Sequence, residues 1–216
     1  MPAVELCVTD DATGTDAKFA MRFCRCLGAP KGLILKNIVL IRHGQSTFNA
    51  HFEQTGVDPG HRDARLTELG KMQAAKARDL LAERHFDLVV SSPLTRALQT
   101  SQVIFKDRKL PFHVNDTHRE WLEGIAEVGR PPAELQRDFP HLDFSHLADP
   151  WWHDEPNSAA AFSPEPHAIF VKRVAAFKMW LMTHPSSCIA VVGHGTFFSA
   201  LTGRWLQNGE FMDWAG

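Results

Sequence analysis

The chain has 216 residues, enough for one sizeable domain with a full hydrophobic core. Its 23 lysines and arginines against 25 aspartates and glutamates leave a formal charge of −2. With no long basic run, nucleic acid is not expected as the main partner, and any positive field must come from a few arginines in a pocket.

Residues 1–36 form an extension ahead of the first strand. Within it Phe19, Phe23 and Leu27 share a face, Asp16 can cap and Gly28 with Pro30 can terminate, so a short amphipathic helix is expected. A membrane-surface or targeting helix would have this pattern, but the acidic residues upstream favour a packed arm or an unstructured tail.

Residues 37–216 make up the domain. The apolar run Ile38 to Ile41 predicts a buried strand. Thr67 is a natural N-cap for a helix through Ala74, Ala75 and Ala77 to about Arg84. Phe86 to Ser91 reads as a second buried strand, and Pro93, capped by Ser92, opens a helix to about Phe105. A short strand follows near Phe112 to Asn115.

An irregular insertion occupies about 140–163, with Pro140, Pro150 and Pro156. Its Trp151 and Trp152 either roof the site as a lid or form a small core of their own, and the second is favoured. A helix from about Glu165 to Thr183 turns Phe170, Val174, Phe177 and Leu181 inward. A strand from Cys188 to Val192, a helix near Thr196 to Leu206 and a short tail complete the chain. This alternation predicts an α/β fold with a parallel-rich sheet covered on both faces.

Cys7, Cys24, Cys26 and Cys188 show no paired CxxC spacing, so neither a disulfide framework nor a zinc site is indicated. No apolar stretch is long enough to span a bilayer, and Met1 to Asp11 lacks the apolar core of a signal peptide. A cytoplasmic protein without stable membrane insertion is expected.

The first strand ends in Arg42-His43-Gly44, which delivers a cation and an imidazole to the sheet edge where α/β proteins bind ligands. The ten residues from Leu40 to Asn49, including Gln45 after the glycine, resemble the signature of the histidine phosphatase superfamily, which includes phosphoglycerate mutases. Leu66-Thr67-Glu68-Leu69-Gly70, with Gln73 and Ala74, resembles the Leu-Thr-x-x-Gly-x-x-Gln-Ala helix of that family. Ser91-Ser92-Pro93-Leu94-Thr95-Arg96-Ala97 is similar to its Ser-Ser-Pro-x-x-Arg-Ala motif, and Gly193-His194-Gly195 to its second histidine motif. The motifs stand in family order.

The resemblance implies a three-layer α/β/α sandwich with a mostly parallel central sheet, phosphoglycerate mutase-like. It also implies that His43 attacks phosphorus and becomes phosphohistidine, with Arg42, Arg96 and His194 forming the phosphate pocket. The chemistry calls for these residue types, because paired guanidinium donors must neutralise a phosphomonoester dianion before a neutral imidazole can approach in line. Ser46 and Asn49 are placed either to contact the phosphoryl group or to cap the following helix.

The leaving alkoxide needs a proton, and Glu120 in His118-Arg119-Glu120-Trp121 resembles the family acid. Glu123 is the next candidate, and Glu127 is also close in sequence. Mutases of the family carry basic residues after the acid to hold a second phosphate. Here acidic and apolar residues follow, Arg130 and Arg137 lie farther along, and hydrolysis is favoured over phosphoryl return. A pocket that binds phosphate without turnover is a further alternative, set against the presence of all core residues. No HExxH or similar ligand spacing indicates a metal, and no cofactor is expected. The expected reaction is metal-independent hydrolysis of a small-molecule phosphate ester.

Overall fold

The computed structural model describes residues 36–155 and 162–216. The amphipathic segment around Phe19 and Phe23 lies outside the described residues, as does part of the insertion. Five strands form one sheet: β1 (Asn37–Arg42), β2 (Leu88–Ser91), β3 (Phe112–Val114), β4 (Cys188–Gly193) and β5 (Phe211–Trp214), in the order β3-β2-β4-β1-β5. All pairings are parallel except β1 with β5. The parallel strands β1 and β4 run side by side with Ile41 opposite Val192 and Arg42 opposite Gly193. Their C-terminal ends therefore deliver both histidine motifs to one edge.

Alternate residues of the buried strands feed two cores. Ile38, Leu40, Val90 and Val191 pack under Phe170, Phe177, Phe197 and Phe198 from α5 (His167–Thr183) and α6 (Gly195–Thr202). Val39, Ile41, Val89 and Ala190 pack under Ala74, Ala77, Ala97 and Ile104 from α2 (Glu68–Leu80) and α3 (Thr95–Phe105). The three-layer arrangement follows directly. A third core joins Leu94 and Leu98 to Leu135, from α4 (Pro132–Asp138), and to Phe144 and Trp151 of the insertion.

Several boundaries differ from the sequence expectation. Helix α3 begins at Thr95 rather than Pro93, because Ser92 is not its cap. Asp63, on a distant loop, accepts the Thr95 backbone N–H at 2.8 Å and caps the helix from outside. Helix α2 ends at Leu80, α5 starts at His167, and α6 stops at Thr202, where Gly203 adopts a left-handed conformation. The tail is strand β5, and α4 precedes the insertion. No described helix is long and apolar enough to cross a membrane.

The loop leaving β1 is clamped onto the start of α2. Thr67 N donates to Gln45 O at 2.9 Å, and Gln45 N donates to Gln73 Oε1 at 2.7 Å. The backbones approach so closely that a Cβ on Gly70 would lie 2.1 Å from Gln45 O, and one on Gly44 would lie 2.2 Å from Gly70 O. Neither neighbour is a side chain that can swing away. Gly70→Ala should therefore cost about 1–3 kcal/mol, as overpacking does. Thermal denaturation would show a Tm lowered by several degrees, and an unchanged Tm would mean the two segments part freely.

Candidate active site

His43 follows β1 and is buried, its backbone N–H donating to Gly193 O at 3.0 Å. Its Nδ1 lies 2.7 Å from Gly44 O. A carbonyl only accepts, so Nδ1 carries the hydrogen and Nε2 keeps its lone pair. Arg96 Nε donates to that nitrogen at 3.2 Å. Burial, then the charges of Arg96 and Arg42, push the His43 pKa well below the ordinary imidazole range. The ring is a neutral imidazole whose lone pair faces a cation.

Arg96 sits in the first turn of α3 and is fixed by Ala126 O at 2.7 Å and Glu127 Oε1 at 3.2 Å. Arg42 donates to Leu206 O at 2.7 Å and stacks over Trp205, 4.7 Å from the ring centroid. Its Nε is buried and has no partner among the described residues. A Cβ on Gly195 would come within 3.0 Å of this Nε, so glycine keeps the guanidinium approachable.

His194, fully buried, lies with its ring 5.2 Å from that of His43. Burial, reinforced by Arg96, holds it neutral. Its Nε2 meets Ser92 Oγ at 2.8 Å, while Nδ1 has no partner among the described residues. This is the work Ser92 does in place of helix capping.

Arg42, His43 and Arg96 line a cleft of about 490 Å³ that also reaches Glu120, Glu123 and Glu127, while His194 is not among its lining residues. The Glu120 carboxylate accepts the backbone N–H groups of Thr196 and Phe197, each at 3.0 Å, at the N-terminus of α6. Its loop is braced by buried Arg173, which donates to Thr117 O at 2.8 Å and Arg119 O at 2.7 Å and pairs with Glu165 at 2.5 Å. Glu123 is exposed. Glu127 is the carboxyl group whose protonation burial favours, its pKa pushed up to about 7 against the opposing charge of Arg96.

Ser46 and Asn49 form a capping box on α1 (Thr47–Thr55), with Ser46 Oγ accepting from Asn49 N at 3.2 Å and Asn49 Oδ1 from Ser46 N at 3.1 Å. Both also line the cleft. The cap uses Oδ1 of Asn49 and leaves its Nδ2 donor uncommitted.

Other residues stand elsewhere. Trp151 is buried in the third core, with Nε1 donating to Arg130 O at 2.8 Å, and neither it nor Trp152 lines the cleft. The favoured core reading holds for Trp151, in a core shared with α3 and α4, and the lid alternative does not. Arg130 is held by Asp63 and Asp138 at 2.8 and 2.9 Å, and neither it nor Arg137 lines the cleft. Among the described residues, His85, Asp87 and Cys188 form a cluster of possible metal ligands, but they flank the opposite ends of β2 and β4.

The sequence model described as the histidine phosphatase superfamily (branch 1) matches residues 38–214. The adenosylcobalamin/alpha-ribazole phosphatase of Escherichia coli is 29% identical over 167 residues, covering 76% of each chain. The glucosyl-3-phosphoglycerate phosphatase of Mycobacterium tuberculosis is 27% identical over 174 residues, covering 80% of this chain and 76% of its own. The crystal structure of the alpha-ribazole phosphatase from Shigella flexneri superimposes with a TM-score of 0.58 at 26% identity, covering 81% of this chain and 88% of that one.

The raised pKa of Glu127 has a consequence for stability. A folded-state pKa of about 7 against an ordinary 4.5 means the fold holds this proton more tightly than the unfolded chain does. Its contribution is fully present below 4.5 and is lost as pH rises to about 7. Glu127→Gln, which cannot ionise, should gain stability relative to the wild type across that window and level off above it. Chemical denaturation over the pH series would show this, and a difference constant with pH would contradict it.

Proposed function

Because the chain belongs to branch 1 of the histidine phosphatase superfamily, we propose that His43 is the nucleophile that opens a phosphate monoester in this cleft. The protein is a phosphatase, and hydrolysis of this class runs through phosphohistidine. The observation that carries the assignment is the His43 ring itself. Its Nδ1 is tied to Gly44 O, its Nε2 lone pair faces Arg96, and burial keeps it uncharged.

Arg42, Arg96 and His194 would hold the phosphoryl oxygens. Arg42 Nε and His194 Nδ1 are buried and have no protein partner among the described residues, and Arg96 already lies beside the attacking nitrogen. Asn49 Nδ2 adds a donor, while the Ser46 hydroxyl stays in the cap. The Nε2 lone pair forms the N–P bond as the ester P–O bond breaks, and Glu120 gives its proton to the departing alkoxide. Water then attacks phosphorus, its proton returns to Glu120, and the N–P electron pair goes back to His43 as phosphate leaves. Three backbone N–H groups, of Trp121, Thr196 and Phe197, orient the Glu120 carboxyl for this task. Glu127 is the second reading for the proton carrier, favoured by its pKa of about 7. With Arg130 and Arg137 outside the cleft, hydrolysis rather than return of the phosphoryl group is the outcome. The free thiol of Cys188 accords with a reducing cytoplasm and a small-molecule substrate met there.

Para-nitrophenyl phosphate should be hydrolysed in the presence of EDTA, and His43→Ala should abolish both turnover and acid-labile labelling by radioactive substrate. Loss of activity to EDTA would instead move the chemistry to a metal. Arg96→Ala should lower kcat/KM by about 10²–10³-fold, the usual effect of deleting a donor to developing charge. The glutamine variant of the true proton carrier should lose about 10²–10⁴-fold on alkyl phosphates, whose leaving groups need the proton. Its loss on para-nitrophenyl phosphate should be far smaller. If Glu127→Gln shows this split and Glu120→Gln does not, the second reading stands.

A further inference from the structure

The cleft beyond the phosphate pocket has a definite chemical character. Two arginines, Arg42 and Arg96, line it, against five carboxylates: Glu53, Asp58, Glu120, Glu123 and Glu127. Both arginines lie at the His43 end, committed to the phosphoryl position. Of the carboxylates, Glu53, Asp58 and Glu123 are exposed and take part in no ion pair among the described residues. Asp58 reaches across to the acid loop, where a Cβ on Gly124 would lie 3.1 Å from its Oδ2.

The same rim carries aromatic surface that the protein does not use. Helix α1 has no buried residue, yet its Phe48 and Phe52 stack at 5.5 Å and line the cleft. Phe52 is 48% exposed and Trp205 49% exposed. Behind this rim, the guanidinium of Arg42 is more than nine-tenths buried and lines the cleft with its Nε unpartnered, which marks the place of the anion.

We propose that the substrate is the phosphate monoester of a cationic alcohol with an apolar or aromatic body, and that Glu53, Asp58 and Glu123 select it. This rests on the phosphatase activity assigned to the same cleft. A single phosphoryl group satisfies the two arginines, and the rest of the molecule meets negative charge and ring faces. A positive charge on the leaving group is attracted by the carboxylates and can lie against the Phe48–Phe52 pair. A second phosphate or a carboxylate on that part would meet three carboxylates, and among the described residues no basic side chain besides Arg42 and Arg96 lines the cleft. The preference is electrostatic at an exposed rim, so it must weaken with salt.

The test uses two aryl phosphates of nearly equal size and the same phenolic leaving group. Tyramine O-phosphate ends in an ammonium group, and the phosphate ester of para-hydroxyphenylpropionate ends in a carboxylate. The ratio of their kcat/KM values, read within each protein, removes any change in overall rate. The wild type should favour the ammonium ester by about tenfold or more at low ionic strength. The ratio should fall toward one in about 0.5 M salt and in the double variant Glu53→Gln, Asp58→Asn. Equal rates or a preference for the carboxylate ester, with para-nitrophenyl phosphate still hydrolysed, would overturn the substrate class and leave the phosphatase activity intact. Failure to hydrolyse para-nitrophenyl phosphate as well would bring down both.

Discussion

The contact on which the site depends is the donation from Arg96 Nε to His43 Nε2 at 3.2 Å. A guanidinium can face that nitrogen only while it carries a lone pair, so this contact and the Gly44 carbonyl fix one tautomer between them. The arrangement is sensitive to where α3 begins, since Arg96 is its second residue. The helix has no side-chain cap of its own and relies on Asp63, which accepts from both Thr95 N and Thr95 Oγ1. Asp63 adopts φ 44°, a left-handed conformation that aspartate tolerates better than most residues. Its bonds to Thr95 and Arg130 offset the strain.

Burying guanidinium groups is costly, by several kcal/mol each unless their donors are matched. The structure matches most of them. Arg96 has Ala126 O and Glu127, and Arg173 has three carbonyls and both oxygens of Glu165. Arg42 differs, with one carbonyl, a tryptophan face and an orphaned Nε. His194 likewise satisfies only one ring nitrogen. Arg119 Nε and His118 Nδ1 are orphaned too, and like His194 they do not line the cleft. Arg42 Nε is thus a donor held rigid at the cleft without a protein partner among the described residues, and under the proposed reaction that is the preorganisation phosphoryl transfer requires.

The parts of this site that lie within short motifs were legible in the sequence. Arg42, His43, Arg96 and His194 each stand at a strand end or the helix turn just after it, and the parallel sheet brings such ends together without further information. The glycine of the Leu-Thr-x-x-Gly helix was legible as a pattern, but its cause, the backbone of Gln45 pressed against it, is a tertiary contact. Strand β5 escaped because four residues carry too little periodicity. Only pairing with β1 shows that Met212 and Trp214 face one core and Phe211 the other. Ser92 looked like a cap because it precedes proline, whereas its hydroxyl serves a histidine 102 positions away. Glu127 gave no sequence signal beyond proximity. Its character comes from burial beside Arg96, which only the folded chain supplies.

The described part of the insertion and the chain just beyond it shape the site through anchoring contacts, and neither tryptophan lines the cleft. At its far end Glu165 accepts Arg119 and Arg173, its carbonyl takes Trp121 Nε1, and its N–H reaches Leu122 O. Those bonds hold the segment that carries Glu120. Nearer its start, Trp151 presses so closely on Gly129 that a Cβ there would lie 2.1 Å from the ring. Its indole N–H is tied to Arg130 O. This fixes the chain just beyond Ala126, whose carbonyl holds Arg96. Displacing Trp151 would therefore reach Arg96 through Ala126, although Trp151 does not line the cleft. These two anchors hold the segment of Glu120 and the guanidinium of Arg96 in register.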